Sequence, residues 1–326
     1  MNWPVVLFLL LHPSEIQAAE ASGAAPASAV ISIDSRPESG ELEIRHRNRR
    51  VMLYAFKADQ FKPYVRELNA LGGVKMLRDA PSDHLHHHGL MYAIRVNGHN
   101  FWEETGEPGH ERSVRLTPGQ AGRGPDGLPQ ASFAHLIHWI AHRDRMLADT
   151  TAAALLIERR TITVAVDEAN QEVALLWQAD FEVGSGSGGK AVLSGSNYNG
   201  LGMRLPQSFD RVAGFRNSDN RPYNPASQQT VLAARWSAVA ATVDGKAAMM
   251  AVFALPEATR GTTKFFSMLE PFAYLAVTQS LNEAPLECLG RDRFSLKYLV
   301  TVYPATKSPE FLDERHAAWA RRSNRQ

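Results

Sequence analysis

Apolar residues recur along this chain in short runs, and most alternate with polar ones instead of returning every three or four positions. Val30–Ile33, Leu42–Ile44 and Val51–Phe56 are runs of this kind, bounded by Pro, Gly or charged residues. The clearest is Leu155–Val166, where Ile162, Val164 and Val166 fall on one face. Val173–Val183 answers it across the polar stretch Asp167–Gln171, so the two predict an antiparallel hairpin. Ala238–Val243, Ala248–Phe253, Tyr274–Thr278 and Phe294–Val302 continue the pattern, with a tight turn predicted at Asp244-Gly245. Gly119–Pro129 is the most loop-like stretch and reads as a long connection. Helical spacing is confined to the end. Ser308 can cap, Pro309 suits the first helical position, Glu310 adds early negative charge, and Phe311, Arg315 and Trp319 follow at helical intervals. The expectation is an all-β fold: one large antiparallel β-sandwich domain over residues 30–322, closed by a short helix at Pro309–Arg322.

The first 29 residues stand outside that domain. Val5–Leu11 is unbroken and apolar, followed by Pro13, Ser14 and the small residues Ala18 and Ala19. That is the layout of a signal peptide, 1–19, although its start carries no Lys or Arg. Residues 20–29, rich in Ala, Ser, Gly and Pro, read as a disordered leader. The apolar run is far shorter than the roughly 20 residues a membrane span needs, and no other run approaches that length. The expected location is secreted or periplasmic. Cys288, the only cysteine, allows no intramolecular disulfide, which suits a bacterial periplasm, and it reads as a small buried side chain. A net charge of +1 gives no global field favouring nucleic acid or a membrane surface. No Gly-rich fingerprint for a nucleotide or flavin appears.

The chemistry concentrates at Asp83-His84-Leu85-His86-His87-His88-Gly89, which holds four of the 12 histidines. In an extended strand His84, His86 and His88 would share one face. Three imidazoles so placed could hold a divalent metal with Asp83 behind them, or act as proton donors and acceptors near neutral pH. Asp83 would fix one ring's tautomer. Beside them, Arg78, Asp79, Trp102, Glu103 and Glu104 suit a sugar-like ligand: aromatic faces take the ring's C–H side and charged groups its hydroxyls. Trp102 reads equally as core, and the two glutamates as a solvated edge. In Ser194–Pro206, Tyr198, Asn199 and Arg204 offer polar contacts among glycines that permit close approach. Glu270-Pro271-Phe272 and Asp180 supply further acid candidates. His135, His138 and His142 read as packing or solvent-facing residues, with His135 pointing away from the other two.

These motifs carry a resemblance. Pro63-Tyr64, Gly72-Gly73-Val74, Arg78-Asp79 and Asp83-His84-Leu85-His86-His87-His88-Gly89-Leu90, then Asn97-Gly98 and Phe101-Trp102, resemble the bacterial PmoA-like domain family of unknown function. Its central pattern is close to D-H-x-H-H-x-G-L followed by N-G-x-x-F-W. His88 departs from it, standing where Arg is expected in many members. The resemblance implies an often exported protein, and the family's strand-rich pattern is similar to the large β-sandwich of sugar mutarotases. The family's label refers to a membrane-embedded methane oxygenase subunit, for which this chain offers no span beyond its start.

The expected function is action on a carbohydrate or sugar derivative by histidine–carboxylate acid–base chemistry. His84, His86, His88 and Asp83 are the catalytic candidates, and Arg78, His87, Trp102, Tyr198, Asn199 and Arg204 the binding ones. A non-catalytic glycan-binding module and a metal-dependent oxidoreductase are the alternatives. The expected partner is a small molecule or glycan, with cofactor and oligomeric state open.

Overall fold

A computed structural model of the chain describes residues 30–221, 223, 229–243, 245–255, 263–290 and 292–323. The expected leader and Asp244 of the expected turn lie outside them. The strands, numbered in chain order, form three antiparallel sheets. The first has nine strands, ordered β1 (Ile31–Arg36), β2 (Glu41–His46), β3 (Arg49–Ala55), β4 (Tyr64–Leu68), β5 (Leu90–Ala93), β13 (Gly200–Arg204), β19 (Tyr274–Thr278), β18 (Lys264–Met268) and β15 (Gln229–Ala233). The second has eight: β14 (Gly214–Asn217), β16 (Trp236–Val243), β17 (Lys246–Ala254), β21 (Arg293–Tyr303), β11 (Glu172–Val183), β10 (Leu156–Asp167), β9 (Pro129–Ile140) and β8 (His110–Arg123). A small third sheet joins β20 (Leu286–Leu289), β12 (Lys190–Ser194), β6 (Arg95–Val96) and β7 (His99–Asn100).

The two large sheets pack face to face as a β-sandwich. Tyr92 of the first meets Trp139 and Phe181 of the second at ring-centroid distances of 6.0 and 5.7 Å. The β10–β11 hairpin forms as expected, with Val166 opposite Val173 and Ile162 opposite Trp177. Its alternation puts Ile162, Val164 and Val166 in the core, but it also buries Glu158 and Arg160 on the same face. Val243 pairs with Lys246, so the β16–β17 connection is as tight as expected. The helix α1 (Pro309–Ser323) lies over the outer face of the second sheet. Its amide at Phe311 donates to the Ser308 hydroxyl at 3.2 Å, and Leu312 and Trp319 pack with Trp236, Phe253 and Tyr303.

One expected connection is mostly strand. Gly119–Arg123 continues β8 and Pro129 begins β9, leaving a turn at 124–128. Among the described residues β8 is the outermost strand of its sheet, where Pro118 and Gly119 are tolerated because one side of the strand is unpaired there. The β8–β9 register slips between Pro118 and Ala121. Within Ser194–Pro206, Gly200–Arg204 is a central strand of the first sheet, between β5 and β19.

Candidate functional site

Side chains alternate along β13, so Leu201 and Met203 enter the core while Gly202 and Arg204 take the other face. Registers extend that face across the sheet. Arg204 lies opposite Tyr274, Tyr274 opposite Met268, and Met268 opposite Gln229. Gly202 lies opposite Ala276, and Ala276 opposite Phe266. This face points away from the second sheet and floors a cavity of about 330 Å³. Trp102, Glu103, Tyr198, Pro271, Phe272 and the rings of His84, His86 and His87 complete its lining. Gly202 is required beneath it: a Cβ there would overlap the Tyr274 hydroxyl and crowd Trp102 at 2.9 Å.

The histidine segment is not a strand. Its amides close successive turns, His84 N–H donating to the Pro81 carbonyl at 2.9 Å and His87 N–H to that of His84 at 3.0 Å. The expected shared face of His84, His86 and His88 is therefore absent, because turns replace the period of two. Instead His84, His86 and His87 cluster. The rings of His84 and His87 stack at 4.6 Å, His86 meets His87 edge-on at 4.5 Å, and Phe272 meets His84 at 4.7 Å. Gly89, at φ 27°, turns the chain into β5, where a Cβ would overlap the Val65 carbonyl oxygen.

His88 faces elsewhere and does not line the cavity. Its Nδ1 lies 3.0 Å from Asp79 Oδ1 and its Nε2 3.0 Å from Glu104 Oε1, with Tyr64 stacked on the ring at 4.4 Å. Lys62 Nζ donates to the same Glu104 oxygen and to the Trp102 carbonyl. Burial opposes the charge on His88, but Asp79 and Glu104 outweigh it and raise its pKa. Burial likewise opposes Glu104, yet His88 and Lys62 bring it down to about 2. A protonated His88 thus ties the turn segment to the Trp102 loop through a carboxylate on each side.

In the cavity the balance is reversed. Burial, with neighbouring positive groups, lowers His86 and takes His87 down to about 2, so both stay neutral. His87 Nδ1 is buried without a partner. His84 Nδ1 lies 3.1 Å from Asp83 Oδ2, and Arg204 donates to that oxygen at 3.3 Å. Burial pushes the Asp83 carboxyl up, but its bond with His84, its own backbone and Arg204 hold it below the usual carboxylate range. A carboxylate there accepts the Nδ1 proton of His84 and leaves Nε2 as the basic nitrogen. Arg204 is almost wholly buried, with its guanidinium 3.5 Å from the centroid of Phe272.

The remaining candidates separate. Trp102 and Tyr198 line the cavity. Asn199 does not, and its side chain accepts the Ser196 amide at 2.6 Å. Arg78 also lies outside the lining, bonding through its backbone to the Arg204 carbonyl. Glu270 is exposed while Pro271 and Phe272 form wall; Asp180 bonds to Ser295 across β11 and β21. His135 is buried between Tyr54 and Ser113, and His138 bonds to Thr150 at 2.8 Å, the packing roles expected of them. Among the described residues, no three His, Cys, Asp or Glu side chains are grouped to hold a metal ion. Sequence reasoning missed Phe266, Met268 and Tyr274 as site residues. The available signal was their apolar character on both faces of strands with only one face in the core.

No curated protein matches the sequence. Among solved structures, the α-galactosidase AgaB of family GH36 from Geobacillus stearothermophilus superposes with a TM-score of 0.50 at 10% identity, over 84% of this chain and 41% of that one. A TPR-domain containing protein from Parabacteroides distasonis gives 0.46 at 10% identity, over 83% and 48%. The chain thus spans less than half the length of either neighbour, and the first likeness is one of fold. No helix among the described residues is long and apolar enough to cross a membrane. A family profile described as a family of unknown function, DUF6807, matches residues 41–317, and the chain belongs to that family.

Proposed function

We propose that the cavity binds a sugar ring and that His84, oriented by Asp83, moves a proton on it. The observation that carries this reading is the pair itself: a histidine lining an aromatic-walled cavity, its Nδ1 beside a carboxylate that also accepts from Arg204. Trp102, Tyr198 and Phe272 offer ring faces to the C–H side of a pyranose. The neutral His86 and the carboxylate of Glu103 stand in the same lining as proton acceptor and polar contact. The volume falls within the range of small-molecule sites. Proton transfer of this kind serves epimerisation, elimination or hydrolysis alike. His88, with both nitrogens bonded, is assigned to holding the turn segment in place.

Ligand-observed NMR with a panel of hexoses, hexosamines and uronic acids tests the binding half. Binding that is lost in Tyr198→Ala, with unchanged melting, supports it; no binding by any panel member contradicts it. Export to a periplasm or the exterior belongs to the same reading and rests on Val5–Leu11 and Ala18-Ala19. Amino-terminal sequencing of the protein from its native host should begin near Glu20, and an intact Met1 would refute export by cleavage.

A further inference from the structure

The cavity also carries a sign. Four of its rings close a circuit: Trp102 to Tyr198 at 5.4 Å between centroids, Tyr198 to Phe266 at 6.0 Å, Phe266 to Tyr274 at 5.9 Å, and Tyr274 back to Trp102 at 6.0 Å. Successive planes are inclined by 59°, 69°, 65° and 86°, so neighbouring rings meet steeply tilted or edge-on. Aromatic faces are the negative part of a ring's charge distribution, and they attract a cation within about 6 Å of the centroid.

The charged groups around this box point the same way. The lining contains Glu103 and no lysine or arginine. Glu103 accepts from the Asn100 side chain at 2.9 Å and forms no ion pair among the described residues. Of the nearby cations, Lys62 is paired with Glu104, and Arg204 is paired with Asp83 through one nitrogen and stacked on Phe272, its other two guanidinium nitrogens buried without a partner. Arg78 lies outside the lining. Burial keeps His86 and His87 uncharged. The site therefore presents one uncompensated carboxylate beside four ring walls.

We propose that the ligand of this cavity carries a protonated amine, so that the sugar it takes is an amino sugar, with the ammonium group between Glu103 and the four-ring wall. This rests on the sugar reading above and names its substrate class. Burial of an ammonium group is costly unless a carboxylate or ring faces replace its water, and the lining supplies both.

Calorimetric titration of the full chain with glucosamine, glucose, glucuronate and tetramethylammonium separates the two ideas. The expected result is glucosamine binding about tenfold or more tighter than glucose. Glu103→Gln keeps an acceptor for Asn100 and should bring glucosamine affinity down to that of glucose. Tyr198→Phe should keep the preference and Tyr198→Leu reduce it, which guards against a Glu103 variant that fails to fold. Glucose or glucuronate binding as tightly as glucosamine overturns the inference and leaves the sugar reading standing. Tetramethylammonium binding without any sugar supports the cation box and overturns the sugar reading. No binding by any of the four overturns both.

Discussion

Two histidines four positions apart in one turn segment are put to opposite uses. His88 is held between Asp79 and Glu104 and gains positive charge; His84 lines the cavity with its Nδ1 beside Asp83. The first use has a pH signature. A histidine whose pKa is raised by folding stabilises the fold most below its ordinary value of 6.5, and that contribution fades as pH climbs through the raised value. Glu104, lowered to about 2, contributes above its ordinary 4.5 and is lost as pH falls from there. The melting advantage of the wild type over His88→Gln should therefore be greatest between pH 4.5 and 6.5 and shrink on the alkaline side. An advantage that grows with pH would show that His88 is buried neutral.

At the scale of elements, the site depends on how the turn segment enters β5. The Gly89 backbone is left-handed, and the place a Cβ would take lies against the Val65 carbonyl. Gly89→Ala should cost more than about 1 kcal/mol in urea unfolding and displace the histidines, because alanine can neither adopt the angle freely nor fit beside β4. An unchanged midpoint would mean that the segment is adaptable. This is also where the sequence was least legible. Alternation identified the β10–β11 hairpin, since its Ile162, Val164 and Val166 face is core. The end helix was equally plain, because capping and apolar spacing agree. The histidine run alternates on paper only: the bonds to Pro81 and His84 carbonyls are local turn contacts that side-chain type does not reveal. Likewise Gly200–Arg204 lacks strand propensity and is a central strand, because Gly202 is needed under Tyr274 and Trp102.

The whole molecule is held across its two sheets by a polar bridge as well as by its core. Arg160 of β10 is fully buried. It bonds to Glu158 at 2.6 and 2.9 Å, to Glu111 of β8 at 3.2 Å, and across the sandwich to the Tyr54 hydroxyl at 3.1 Å and the Pro63 carbonyl at 2.7 Å. Its guanidinium also lies 4.3 Å from the Trp177 ring centroid. Arg160→Met should cost about 3–5 kcal/mol, since it strands Glu158 and an already strained Glu111, whose carboxyl burial pushes up to about 8. A cost under about 1 kcal/mol would mean the carboxyls simply take up protons. The sequence did not tell which groups meet Arg160, because Glu111 and Tyr54 come from distant strands. The site has the same origin. Its motif residues at 83–89 were visible, whereas the floor from β13, β15, β18 and β19 exists only once those strands are side by side.

The central claim is that His84 and Asp83 form a working base on a bound sugar, and solvent exchange tests it most directly. Whichever panel sugar binds is incubated in D2O with the wild type, His84→Asn and Asp83→Asn, and its ring protons are followed by NMR. The account predicts exchange or conversion at one ring position with the wild type. Both variants should still bind but run slower by about 10²–10⁴-fold. Equal rates in all three, or binding with no exchange in any, would contradict it and make the cavity a binding site without chemistry.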